Sequence, residues 1–360
     1  MLDGLFVAHD SAADEREFRR FVHDIQGQAA LGNRTLLLLT SQSHREGSPE
    51  HTMVDGGIEF LDEMCGMRAV RNLVVRKQRG GAFMRGRHQF RITENGLEVF
   101  PRLEALMNHK PTPSVTIDRV STGITGFDKM IGGGYPAASA TVLAGPSGSG
   151  KTTFGLQFLA QATPEAPGLL FGFYETPARL LTKARSIGID IDGLIASGAL
   201  EIIWQSPAEN LPDELARRML TAISRRGVKR VFLDGIGALR HAFLFPERLP
   251  LFVNALSAAL HESGTTSVYS LEMPQLFMPE RMAMDDLSQM VDNVVLVHYA
   301  RRANHIANNM DRELLVLKIR DSGFDTFPEV FHIRDKGAQF GQGHTGGRRP
   351  DEAVSVGDGA

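Results

Sequence analysis

Residues Gly145-Pro-Ser-Gly-Ser-Gly-Lys-Thr152 fit the pattern G-x-x-x-x-G-K-[ST] of a phosphate-binding P-loop, and the segments on either side suit it. Ahead runs the apolar, β-prone Ala140-Thr-Val-Leu-Ala144; behind, Thr153-Phe-Gly-Leu-Gln-Phe-Leu-Ala-Gln161 carries helical spacing. A strand feeding a glycine-rich turn and then a helix aims backbone N–H groups and the positive end of the helix dipole at one point. The amides of Gly145, Pro146, Ser147, Gly148, Ser149, Gly150, Lys151, Thr152 and Thr153 (Pro146 lacking an N–H) form the expected phosphate cradle. Lys151 adds a cation for the β- and γ-phosphates, and the Thr152 hydroxyl is a ligand for Mg²⁺. The motif implies a nucleoside triphosphate, expected to be ATP.

Composition narrows the partners. With 360 residues, 42% hydrophobic and 22% charged, the chain can bury more than one core. Its net charge of −3 offers no field to attract nucleic acid or an anionic membrane. The single Cys65 allows no internal disulfide and, being most simply a small buried apolar residue, fits a reducing cytoplasm. No apolar run reaches the ~20 residues of a membrane span, and the N-terminus lacks the basic start of a signal peptide. The expectation is a soluble cytoplasmic protein.

The chain also resembles itself. Leu2-Asp3-Gly4 recurs as Leu233-Asp234-Gly235, and Thr35–Thr40 aligns with Thr266–Leu271 at the same offset of 231. Met53-Val-Asp55 aligns with Met290-Val-Asp292 at 237, and Lys77-Gln-Arg79 with Lys318-Ile-Arg320 at 241. Phe90–Gly96 aligns with Phe331–Gly337 at 241 as well. Ten residues of drift is ordinary loop insertion. Gly145 precedes Asp234 by 89 residues (234 − 145), so a first-copy P-loop would fall before residue 1. The expected organisation is a partial first domain at 1–106, a proline-bearing linker at 107–116, a complete domain at 117–340 and a disordered, Gly-rich tail at 341–360.

Within the second copy, strands are expected at 141–144, 169–174, 200–204, 230–233 and 266–271, alternating with helices at 151–161, 177–187, 212–226 and 248–262. That alternation predicts an α/β fold, a mostly parallel sheet covered by helices on both faces. Strands at 293–299, 312–319 and 329–333 follow without helices and predict a hairpin-rich extension.

Hydrolysis needs more than a cradle. Arg230-Val-Phe-Leu-Asp234 has the form of a Walker B strand, with Asp234 as the second Mg²⁺ ligand. Gly168–Glu175 is another strand ending in an acid. Glu175 can activate the attacking water, or it can be a first-turn acid for the helix after Thr176-Pro177. Spacing leaves both open.

Ser121-Thr-Gly-Ile-Thr-Gly-Phe-Asp128, Gly132-Gly-Gly-Tyr-Pro136, the P-loop, Tyr174-Glu-Thr-Pro177, the Walker B strand and Lys318-Ile-Arg320 together resemble the RecA-like ATPases of the KaiC group. Residues 119–340 carry this resemblance. Residues 1–106 resemble the latter half of the group's first domain, through Lys77-Gln-Arg-Gly80 and Asn95-Gly-Leu-Glu-Val-Phe-Pro101. The resemblance implies a RecA-like P-loop NTPase preceded by the C-terminal half of a second RecA-like domain. It also implies a hexameric ring with ATP at subunit interfaces, where Lys318 and Arg320 reach a neighbour's phosphates as an arginine finger does. It favours Glu175 as the water-activating residue. The group usually has two adjacent glutamates there; Tyr174 stands in the first place, which bears on turnover rather than binding. Clock members phosphorylate a Ser-Thr pair, and here only Ser288 of that pair keeps a hydroxyl, beside Gln289.

The main expectation is a Mg²⁺-dependent ATPase in signalling or regulation, with a signalling protein as partner. Two alternatives stand beside it: an ATP-gated scaffold or Ser/Thr autokinase with little hydrolysis, and a RecA-like DNA-binding recombination ATPase. The short basic clusters at 85–91 and 225–230 are weak support for the last. Lacking its central strand, the first domain is expected to be unstable alone, and Met1 is expected not to be the natural start.

Overall fold

A computed structural model of the chain describes residues 1–40, 52–107, 118–206, 209–274, 291–301, 310–320 and 322–341. These fall into two units, Met1–Pro101 and Arg102–Ala360. Ser288, the expected linker from 108 onward and the expected tail from 342 onward lie outside the described residues.

In the first unit, helix α1 (Leu5–Ser11) is followed by α2 (Glu15–Leu31). Asp14 caps α2 by accepting from the Glu17 N–H, and Glu17 reaches back to the Ala13 N–H at 2.6 Å. This reciprocal cap satisfies one orphan amide of the first turn and the N–H of the residue ahead of the cap. Leu5, Phe18 and Val22 make a small core between the helices. Strands β1 (Gly56–Cys65), β2 (Arg68–Gln78), β3 (Arg87–Thr93) and β4 (Gly96–Phe100) follow as an antiparallel meander in that order.

The second unit opens with α3 (Leu103–Leu106), β5 (Arg119–Val120), α4 (Thr125–Met130) and β6 (Tyr135–Pro136). The sequence reading ends the first domain at 106, but α3 is tied to the second unit. The Leu103 N–H donates to Asp213, and the half-buried Arg248 guanidinium lies between Glu104 and Asp213. Here too Asp128 builds the turn of the Ser121–Asp128 motif, accepting from the Ser121 hydroxyl at 2.6 Å and the Thr122 N–H at 2.8 Å. Phe127 is thereby seated against Tyr135 and Phe154. That motif is architectural.

Next come β7 (Ala140–Gly145), α5 (Lys151–Leu159), β8 (Gly168–Gly172), α6 (Pro177–Ser186), α7 (Ile191–Ala196), β9 (Leu200–Trp204), α8 (Pro212–Arg226), β10 (Arg230–Asp234), α9 (Ile236–Leu239), α10 (Leu249–Glu262) and β11 (Thr266–Glu272). Strands β12 (Asn293–Arg301), β13 (Met310–Lys318), β14 (Glu329–Arg334) and β15 (Gly337–Phe340) complete it. The nine-stranded sheet runs β15-β14-β13-β12-β7-β11-β10-β8-β9. From β12 to β9 every pairing is parallel, and from β12 to β15 every pairing is antiparallel. The P-loop strand β7 is central and buried at every residue. Helices α8, α9 and α10 cover one face through Leu215, Met219, Phe252 and Leu256; α5, α6 and α7 cover the other through Phe154, Phe158, Leu180 and Ile191. This is the mostly parallel, doubly covered sheet that the sequence predicts, with its hairpin-rich extension. Strand β15, the β5–β6 pair and α7 are additions too short to carry periodicity.

The internal offsets reappear as identical strand pairing. Leu2 bridges Leu38 in parallel, as Leu233 pairs Tyr269. Gly57 pairs Lys77 and Ile58 pairs Val75 across a bulge; Val294 pairs Lys318 and Val295 pairs Val316 across the same bulge. Phe90 pairs Val99 as Phe331 pairs Phe340. One expected element is reduced: Thr35–Thr40 makes that single bridge where its counterpart β11 is a full strand. The physical difference is flanking, because β11 lies between β7 and β10, whereas no described strand occupies the β7 place in the first unit. Ile58, Phe60, Ile92 and Leu97 are accordingly exposed, while their counterparts Val295, Val297, Ile333 and Ala338 pack in the cluster beneath α5.

Candidate active site

Parallel pairing brings the C-terminal ends of four strands to one edge, where open α/β sheets bind ligands. Asp234 of β10 pairs Gly172 of β8, and Glu272 of β11 pairs Gly145 of β7. The sequence reading ends β11 at Leu271, one residue short of a carboxylate that faces the P-loop.

The loop itself is dictated by two glycines. A Cβ on Gly145 would collide with the Val297 carbonyl oxygen of β12. Gly150 caps α5 at φ 111°, and a Cβ there would lie 2.6 Å from Ile333 Cδ1. Backbone and helix axis therefore turn abruptly after β7. The Lys151 ammonium donates to the carbonyls of Gly145 at 2.8 Å and Pro146 at 2.7 Å. Burial lowers its pKa, and nearby Lys183 adds to that, while Glu272 and Asp234 act in the opposite sense.

The cleft over the loop has a volume of about 570 Å³, within the range of small-molecule sites. Its walls include Ser147, Gly148, Gly150, Lys151, Thr152 and Thr153, but not Gly145, Pro146 or Ser149. Ser149 turns its side chain inward and is fully buried. Asp234, Glu175, Lys183 and Glu272 line it as well.

Thr152 and Asp234 line the cleft together, and the Thr152 hydroxyl acts to lower the Asp234 pKa. The Ser270 hydroxyl donates to Asp234 Oδ1 at 2.6 Å and accepts from the Gly235 N–H at 2.8 Å. Burial raises the Asp234 pKa, and Glu175 raises it further, against the lowering by Ser270 and Thr152. A hydroxyl and a carboxylate side by side are two hard oxygen donors. They fit Mg²⁺, which takes few protein ligands and completes its shell with water and phosphate oxygens.

Glu175 follows β8 and is paired with Lys183, Nζ to Oε1 at 3.2 Å, both side chains about one-third exposed. It does not cap α6, whose N-cap Thr176 makes no side-chain cap bond and whose first turn holds no acid. Tyr174 lines the same wall, its ring over Gly235, and burial raises its pKa with help from Glu272.

Lys318 and Arg320 lie elsewhere. Lys318 Nζ donates to the Val291 carbonyl, and Arg320 Nη1 pairs with Asp292 Oδ1 at 2.7 Å. Asp292 Oδ2 accepts from the N–H of Ala140, the first residue of β7. The P-loop begins five residues on, about 17 Å at ~3.3 Å per strand residue. These two cations stand at the opposite end of the central strand from Lys151.

Sequence reasoning missed Ser270, Glu272 and Lys183. Glu272 had a legible signal, a third strand ending in an acid. Ser270 and Lys183 had none, because each reaches the cleft from an element chosen for its buried residues.

The sheet order, the P-loop at its centre and the strand-end acids define a RecA-like P-loop nucleotide-binding fold. Residues 120–344 match the family model described as "ATPase: KaiC", and the chain belongs to this KaiC ATPase family. It is similar to the circadian clock oscillator protein KaiC of Synechococcus elongatus, 27% identical over 289 residues, covering 80% of this chain and 54% of that protein. It is similar also to that of Thermosynechococcus vestitus, 28% identical over 291 residues, covering 81% and 54%. The KaiC of Rippkaea orientalis is 24% identical over 339 residues, covering 92% and 63%. The chain spans about half to three-fifths of the length of these relatives. Among the described residues no helix is long and apolar enough to cross a membrane.

Proposed function

We propose that the chain binds ATP with Mg²⁺ in the Lys151–Asp234 cleft and hydrolyses it at the interfaces of a hexameric ring, in a signalling or regulatory setting. One observation carries the reading: Thr152, Asp234, Lys151 and Glu175 converge on one cleft from two strand ends and a helix start. The loop amides and Lys151 hold the phosphates, and Thr152 and Asp234 would hold the cation. When bound, Mg²⁺ neutralises charge on the β- and γ-phosphates. Glu175 orients a water and accepts its proton as the water oxygen attacks the γ-phosphorus. The bond from that phosphorus to the β–γ bridging oxygen breaks, and ADP and inorganic phosphate leave. Lys318 and Arg320 serve the site of a neighbouring subunit, a role supported by their distance from the cleft of their own chain.

Phosphate release from Mg·ATP tests this. Glu175→Gln is expected to keep ATP binding and to lower turnover by about 10²–10⁴-fold. Unchanged turnover would remove Glu175 from the mechanism. A second reading, an ATP-gated scaffold that turns over little, is favoured by Tyr174 in place of a carboxylate and by the pairing of Glu175 with Lys183. A cytoplasmic location belongs to the same proposal.

A further inference from the structure

We propose that Lys183 senses the γ-phosphate, exchanging Glu175 for the terminal phosphate of a nucleoside triphosphate. The inference rests on the nucleotide reading of the cleft. Lys183 sits in the last turn of α6, the helix that begins two residues after Glu175. Its ammonium touches Glu175 Oε1 and lines the cleft with Lys151, Asp234 and Glu272. The same ammonium acts electrostatically on both Lys151 and Asp234. It therefore stands among the phosphate-binding groups as well as beside the proposed water-activating carboxylate.

The Glu175–Lys183 pair is suited to exchange. Both side chains are about one-third exposed, so solvent screens their attraction. A lysine is a point charge on a flexible four-carbon stem, so it can change partners without backbone movement. A terminal phosphate carries more charge and more acceptor oxygens than one carboxylate, and wins the competition. Lys151 is held at the loop by two carbonyls and feels Lys183 electrostatically, so the terminal phosphate is a group both ammoniums can share.

Exchange has a chemical consequence. With ADP, Lys183 stays on Glu175 and the carboxylate is occupied. With ATP, Lys183 moves to the γ-phosphate and frees Glu175 for the water. The water-activating group is thus released only when there is a bond to cleave. Lys183 is a positioning residue for Glu175 and a discriminator between tri- and diphosphate.

The test is equilibrium titration of the full chain with Mg·ATPγS and, separately, Mg·ADP. Lys183→Met is expected to weaken ATPγS binding by about tenfold or more, as loss of a charge-assisted phosphate contact does, while ADP affinity stays within about twofold. Lys183→Arg is expected to restore most of the difference. Equal weakening of both nucleotides, or of neither, would overturn the inference while leaving the nucleotide site in place. Failure of the unsubstituted chain to bind either nucleotide would overturn the reading of the cleft itself.

Discussion

The Ser270 hydroxyl donates to the Asp234 carboxylate at 2.6 Å while accepting from the Gly235 N–H, so one side chain at the end of β11 fixes the acid at the end of β10. Orientation of a metal-binding carboxylate by such a neighbour is typically worth 10–100-fold in metal affinity. Ser270→Ala is therefore expected to raise the Mg²⁺ concentration for half-maximal turnover by about tenfold or more. Mg²⁺ titration of phosphate release measures it, and an unchanged requirement would make Ser270 merely a packing residue.

The separation of Arg320 from Lys151 makes a prediction about mixtures. Lys151→Ala and Arg320→Ala chains should each be nearly inactive alone. In a mixed ring, a site works when an Arg320→Ala chain faces a Lys151→Ala neighbour. With equal amounts that is one half times one half, about a quarter of the interfaces in a head-to-tail ring. Recovery of about a quarter of the native turnover would place Arg320 across the interface. No recovery, despite ring formation by the mixture, would place its role elsewhere.

His298 on β12 gives a pH dependence. It is buried against Glu313 of β13, and burial pushes its pKa below the ordinary histidine value, Glu313 opposing only in part. The unfolded chain then binds a proton at a higher pH than the folded one. Stability is complete above about pH 6.5, the unfolded value, and is lost as pH falls from there toward the folded value. Thermal melts from pH 7.5 down to pH 5.5 should show this loss in the native chain and a smaller one in His298→Gln. Identical pH profiles would mean that His298 is not the group responsible.

Much of this was legible before the structure. Gly145–Thr152, the acids at 175 and 234 and the alternation of strands and helices are local patterns, each set by short-range backbone chemistry. Even the repeat was readable, since Leu2, Gly57 and Phe90 pair as Leu233, Val294 and Phe331 do. What escaped depends on long-range register. Ser270 meets Asp234 only because β11 is parallel to β10, and Lys183 meets Glu175 from the last turn of α6, about two turns away at 3.6 residues per turn. Thr35–Thr40 falls short of its counterpart β11 for a related reason: an apolar run becomes a strand only where a neighbour supplies the ladder.

ATP binding by Lys151 and its loop underlies every other proposed step. Isothermal titration of Mg·ATPγS into the full chain and its Lys151→Ala variant, both shown folded by circular dichroism, tests it most directly. Saturable binding at one site per chain is expected in the native protein and at least about a hundredfold loss in the variant, the order expected for removing a charged phosphate contact from a half-buried site. Equal affinity of the two proteins for the nucleotide would contradict it.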